Sequence, residues 1–233
     1  MKKPTAQDVR ERAAYSIGEA AHYVRMNPMT LTTWALGREY QTASGAKHWA
    51  ALFQIADRAN RRMSFINLVE ANVLRAVRRD HDLTMPSIRA ALEYVQQRLG
   101  VKRPLADEKF ETDGVDLFVE RYGELINASK RGQIALREML EAALHRIERA
   151  EPSGVPIRLF AASPDERDRS PYVAFDPAIA FGRPALVGSG APVAAIAERF
   201  RAGDSIDTLA EDYGVERQAI EEAVRQAELL RAA

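Results

Sequence analysis

The stretch from 173 to 193 constrains this chain more than any other. It reads Val173-Ala-Phe-Asp-Pro-Ala-Ile-Ala-Phe-Gly-Arg-Pro-Ala-Leu-Val-Gly-Ser-Gly-Ala-Pro-Val193. A strand-like start breaks at Asp176-Pro177, and Gly182, Pro184, Gly188, Gly190 and Pro192 then hold the backbone in a loop. Pro192 suits the first position of a helix, where its missing N–H has no partner to lose. The spacing predicts a helix from 193 to 200 stopped by Ala202-Gly203. A second follows over 206–213, capped by Asp204 or Ser205 and ended by Gly214, and a third opens at Glu216. Helix, glycine-containing turn, helix is the layout of a helix-turn-helix.

The N-terminal region carries a second such unit. Ser16 with Glu19 three positions on is a capping box. Arg25-Met26 makes a turn, and Asn27 then caps a helix with Pro28 at its first position. On that helix Leu31, Trp34 and Ala35 can pack back on Ile17, Ala20 and Ala21. Met29, Thr30, Thr32 and Thr33 are left facing outward. Gly37 ends the helix, and 38–48 reads as a small hairpin or wing.

Charge separates the two units. Residues 1–103 hold 17 Lys and Arg against 9 Asp and Glu, whereas residues 104–233 hold 16 against 24, so a net charge of zero hides +8 and −8. A positive half suits a polyanion and a negative half does not. Small polar side chains on a recognition helix suit base edges, and cations beside it suit phosphates. The expected DNA-binding set is therefore Arg25, Met29, Thr30, Thr32, Thr33, Arg38, Lys47 and His48. The competing reading is a helical hairpin whose threonines meet no ligand. In the C-terminal unit, the third helix with Glu216, Glu221, Glu222 and Glu228 is either a solvated face or a surface for a protein partner or dimer.

Between the units, Ile66, Val69, Val73 and Val77 recur at helical spacing, as do Ile88, Ala91, Leu92, Val95 and Leu99. Lys102-Arg-Pro104 reads as a linker. Asp113-Gly114 between apolar flanks predicts a hairpin, and Tyr122-Gly123 a second turn. A helix is expected over 132–149 with Ile134, Leu136, Met139, Leu140, Ala143, Leu144 and Ile147 inward. Strands are expected at 157–160 and 172–175, with a polar, proline-flanked loop at 163–171 between them. The fold class that follows is mostly α with a small antiparallel β portion (α+β). It divides into a basic helix-turn-helix part (1–103), a β meander plus helix and loop (104–171) and a three-helix C-terminal part (172–233).

No catalytic residue, metal ligand or cofactor is expected. Cysteine is absent, which removes disulfides, thiolate ligands and thiol nucleophiles. Asp80-His-Asp82 has ligand residue types but sits where a helix ends and a chain turns. The four histidines are scattered, the loop glycines lack the lysine and hydroxyl of a phosphate loop, and Asp176 before Pro177 reads as a turn former. Neither a signal peptide nor an 18-residue apolar run is visible, so a cytoplasmic protein without a membrane span is expected.

Phe181-Gly-Arg-Pro184, Gly188-Ser-Gly-Ala-Pro192, Phe200-Arg-Ala-Gly203 and Ser205-Ile-Asp-Thr-Leu-Ala-Glu-Asp-Tyr-Gly214 resemble the C-terminal domain of VapB-type antitoxins. That likeness covers about 172–228. The family pattern has Gly-Thr-Arg near Gly188, where this chain has Ser189-Gly190. Tyr15-Ser-Ile-Gly-Glu-Ala-Ala with Thr30, Leu31 and Trp34 is similar to MerR-like DNA-binding domains. The order of parts, including Phe65-Ile-Asn-Leu-Val-Glu70 and Ile88-Arg-Ala-Ala91, resembles the long two-domain antitoxins. The resemblance implies a homodimeric repressor that binds operator DNA and neutralises a PIN-domain ribonuclease toxin, with Arg183, Arg217 and Arg231 as candidate partner-facing residues. The alternatives are a protein-interaction or dimerisation module, or a transcriptional regulator without a toxin.

Overall fold

The computed structural model describes residues 8–42, 45–78, 85–126, 129–163 and 169–232. In chain order, β1 (Tyr15–Ser16) leads into α1 (Ile17–Tyr23) and α2 (Pro28–Leu36). The hairpin β2 (Arg38–Thr42) and β3 (Gly45–Trp49) follows, and β4 (Arg62–Met63) returns to pair with β1. Helices α3 (Phe65–Arg78), α4 (Met85–Leu99), α5 (Val115–Ile126) and α6 (Lys130–Leu144) come next. Strands β5 (Ile147–Ala150), β6 (Val155–Ala162), β7 (Arg169–Phe175) and β8 (Pro184–Leu186) form an antiparallel sheet in chain order. The helices α7 (Val193–Arg201), α8 (Ile206–Tyr213) and α9 (Arg217–Ala232) close the chain. The fold is mostly helical with small antiparallel sheets.

Helix α3 is the hub. Residues 65–77 are all buried except Arg75, which is half-buried. A helix enclosed on every side must satisfy its polar groups internally. The Asn67 Oδ1 accepts from the N–H of Ala56 and of Ser64, and its Nδ2 donates to Gln54 O and Glu70 Oε2, both at 2.8 Å. The Asn72 Nδ2 donates to Ala143 O, while its Oδ1 accepts from the buried Arg146 at 2.6 Å. Arg146 Nε also donates to Phe160 O at 2.9 Å, so one polar chain ties α3 to α6 and β6. The single stripe of Ile66, Val69, Val73 and Val77 understates this enclosure.

The hairpin expected at Asp113-Gly114 is not formed. A π turn over Phe110–Gly114 runs directly into α5. Phe110, Val115, Phe118, Val119 and Tyr122 are all buried, and their spacing is helical. Burying them against α4 and α6 outweighs the local turn signal. Both glycines read as turns serve helix packing. A Cβ at Gly114 would lie 2.7 Å from the Phe110 ring, and one at Gly123 would lie 2.8 Å from Gln133. The helix expected over 132–149 ends at Leu144, and Ile147 starts a strand; Ile134, expected inside, is 57% exposed.

The N-terminal unit rests on the C-terminal one. Tyr15 Oη donates to Gly182 O at 2.8 Å in a buried bond, and the rings of Tyr23 and Phe175 meet at 5.1 Å. The caps anticipated at Ser16, Asn27 and Ser205 are present. Ser16 and Glu19 form the reciprocal box, and Ser205 Oγ accepts from Thr208 N at 3.0 Å. Among the described residues, no helix is long and apolar enough to cross a membrane.

Candidate nucleic-acid interface

Helix α2 carries half of the residues expected to meet DNA, and its geometry follows from its cap. Asn27 Oδ1 accepts from the N–H groups of Met29 (2.9 Å) and Thr30 (3.3 Å), so the helix starts on a satisfied turn. Leu31, Trp34 and Ala35 are almost wholly buried. Trp34 Nε1 donates to the Met85 sulfur, and its carbonyl accepts from Leu52 N at 2.7 Å. The Arg58 guanidinium donates to Leu36 O at 2.7 Å and completes the C-terminal end. With one face fixed this way, Met29, Thr32 and Thr33 form the outer row at i, i+3 and i+4. Met29 is 71% exposed, Thr32 and Thr33 are half-buried, and Thr30 lies beside the row.

The threonine hydroxyls carry a further constraint. Thr32 Oγ1 donates to Pro28 O at 2.8 Å and Thr33 Oγ1 to Met29 O at 3.0 Å. With each hydroxyl proton committed to the preceding turn, both side chains offer outward only acceptor lone pairs and a methyl group.

The hairpin beside this helix pairs Arg38 with Trp49, Glu39 with His48 and Tyr40 with Lys47. Because strand residues alternate in facing, positions 38 and 49 share one side and positions 39 and 48 the other. Arg38 and His48 are exposed, and the His48 ring lies against Gly37. The side chain of Lys47 lies outside the described residues, as do Asp80-His-Asp82.

Arg25 occupies a different place from the rest of its expected set. Its guanidinium donates to Gln226 Oε1 at 2.9 Å and to Ala162 O at 3.3 Å, joining the turn between α1 and α2 to α9 and β6. Its own φ is +52°, which few L-residues adopt. Other arginines of the basic half are also structural ties. Arg58, Arg62, Arg89 and Arg103 donate to the carbonyls of Leu36, Ala14, Ala51 and Gln54. A carbonyl uses the donor without cancelling the charge, whereas Arg103 is also paired with Glu11 at 3.3 Å, so fewer guanidiniums can close on a phosphate. Residue spacing carried no sign of these ties, because each spans at least twenty-two positions in the chain.

Arg183 lies 3.9 Å from Glu19, with both side chains well exposed. Arg217 pairs with Asp207 and Glu221, and Arg231 lies 3.8 Å from Glu228. The three are not brought together. Asp176 accepts from Ala178 N and pairs with Arg158 at 3.3 Å, which is a turn-former's role. Among the described residues, no three His, Asp or Glu side chains cluster to hold a metal ion.

Three comparisons bear on this geometry. Residues 173–227 match the family model described as "Protein of unknown function (DUF433)". A Mycobacterium tuberculosis protein named "Putative antitoxin VapB45" is 31% identical over 229 residues, spanning 90% of this chain and 92% of that one. The crystal structure of Rv2018 from Mycobacterium tuberculosis shares the fold, with a TM-score of 0.66 at 24% identity over 91% of this chain and 98% of the other.

Proposed function

This chain belongs to the VapB-type antitoxin family, and we propose that it neutralises a PIN-domain ribonuclease toxin and represses its own operon by binding operator DNA. The observation that carries the DNA half of this reading is the outer row of α2, Met29, Thr32 and Thr33, set beside the wing on the positively charged half of the chain. Thr30 flanks that row, and the wing carries the phosphate candidates Arg38 and Lys47, with His48 on the side opposite to Arg38. Arg25 leaves this set, because its guanidinium holds α9. A two-fold dimer would meet an inverted repeat whose half-sites lie about 34 Å apart or a multiple of that. The toxin falls to the C-terminal unit, whose net negative charge disfavours DNA, with Arg217 and Arg231 at its surface.

The committed hydroxyl protons specify the chemistry of reading. Thr32 and Thr33 would accept from an adenine or cytosine amino group, or place a methyl against a thymine methyl. Replacing both with Ala should weaken operator binding by about tenfold or more, at roughly 1–3 kcal/mol per lost base contact. Replacing both with Val keeps the methyls and removes the acceptors, so binding retained by Val but lost with Ala assigns thymine methyls. Gel shifts on the DNA upstream of the gene would show this. Unchanged affinity in the double Ala variant would remove α2 from the interface.

A further inference from the structure

Phe181 is the most exposed large apolar side chain among the described residues, at 86%. Its exposure is built, not incidental. Ala180 and Phe181 adopt φ of +47° and +56°, and Gly182 follows at +79°. Two consecutive L-residues in the left-handed region are costly, and such strain persists only where surrounding structure imposes it. Here the imposing contacts are the buried bond from Tyr15 Oη to Gly182 O and the turn bonds from Gly182 N to Ile179 O and Arg183 N to Ala180 O. The ring is thus held out on a rigid loop.

Beside it lies a hollow of about 200 Å³, walled by Val9, Arg12, Ala13, Tyr15, Phe65 and Pro177 with Phe181 itself at one edge. Val9 is also exposed. The charges flanking the ring are of both signs: Arg183 and Glu19 lie 3.9 Å apart, 63% and 40% exposed. Each half of that loose pair can reach the opposite half on a neighbour. A patch carrying a knob and a hollow, a cation and an anion is complementary to itself, which is what an isologous two-fold contact requires. A different partner protein would need only the complement of one of each.

We propose that a second copy of this chain is the occupant, with Phe181 of each protomer seated in the hollow of the other and Arg183 facing the partner's Glu19. This rests on the reading above that the protein acts as a dimer, and it places the two-fold contact at the Gly-Arg-Pro loop. Arg183, set out above as a partner-facing residue, then faces a second copy and not a toxin.

Sedimentation equilibrium of the full chain is the test. The wild type should dimerise in the micromolar range, and Phe181→Ala should weaken self-association by about tenfold or more, as loss of a central aromatic anchor does. Phe181→Gly should do the same while holding or raising the melting temperature, since glycine accepts the left-handed backbone. The chain has no cysteine, so Ala13→Cys and Phe181→Cys each carry a single thiol. Mixed and mildly oxidised, the two variants should cross-link to each other. A dimer that survives Phe181→Ala would overturn the placement while leaving the dimer reading intact, as would failure of the mixed cross-link at a concentration where the mixed variants sediment as dimers. A wild type that stays monomeric at tens of micromolar would overturn both. Loss of toxin co-purification in Phe181→Ala with the dimer preserved would assign the knob to the toxin and overturn it equally.

Discussion

Replacing Glu70 with Gln should make this protein about 3 kcal/mol more stable at pH 8 and change it by less than about 1 kcal/mol at pH 4. Glu70 lies inside the hub helix, 2% exposed, and burial pushes its carboxyl from the ordinary 4.5 up to about 7. The Arg103 guanidinium at 3.9 Å and the Asn67 amide pull the other way but do not offset the desolvation. The sign follows from which state gives up the proton first. Below 4.5 both the folded and unfolded chains hold it, and the stability is fully present. As pH rises from 4.5 through 7, the unfolded chain releases the proton while the folded chain retains it. Stability then falls by about 1.4 kcal/mol per pH unit. Gln keeps an acceptor for Asn67 Nδ2 and has nothing to titrate. Urea titrations at both pH values would measure this difference. A wild-type profile flat between pH 5 and 8 would show that the carboxylate is solvated in the folded state.

Gly182→Ala should cost about 3 kcal/mol and loosen the joint between the two ends of the chain. A Cβ there would overlap the Tyr15 hydroxyl, and φ is +79°. Neither partner can yield cheaply: Tyr15 is 2% exposed and sits edge-on to Tyr23 at 5.9 Å. The loop must therefore leave, losing its buried hydrogen bond at about 1–3 kcal/mol, with left-handed strain adding about 1–2 kcal/mol. Tyr15→Phe keeps the loop seated and orphans only the Gly182 carbonyl, so it should cost less. Thermal melts of the two variants would rank them. A Gly182→Ala variant as stable as wild type would mean that the loop is not held by Tyr15.

The caps, the wing and the three C-terminal helices were legible in the chain because each is written in local chemistry. Ser16 with Glu19, Asn27 before Pro28, Ser205 and Gly214 all act within four residues of themselves. The buried face of α2 followed from Leu31, Trp34 and Ala35 at helical spacing. What spacing does not encode is long-range partnership. Asp113-Gly114 has the form of a turn, and only packing against α4 makes it helical. Arg25 has the form of a phosphate ligand beside a recognition helix, yet its partners lie 137 and 201 positions away. The exposure of Phe181 was equally hidden, since a Phe before a Gly says nothing of which way the ring points. Glu70 and Asn67 interrupt an apolar pattern in Phe65-Ile-Asn-Leu-Val-Glu70, and that interruption was the available sign of an enclosed helix with an internal polar network.

The N-terminal helix-turn-helix, and not the C-terminal one, is proposed to meet DNA. Fluorescence anisotropy with the DNA upstream of the gene, comparing Arg38→Glu with Arg217→Glu, separates the two. Both positions are exposed, and each substitution changes the charge by the same amount. Arg38→Glu should lose about tenfold or more in affinity with a shallower salt dependence, and Arg217→Glu less than about twofold. A large loss for Arg217→Glu with Arg38→Glu unaffected would contradict this and move DNA binding to the C-terminal unit.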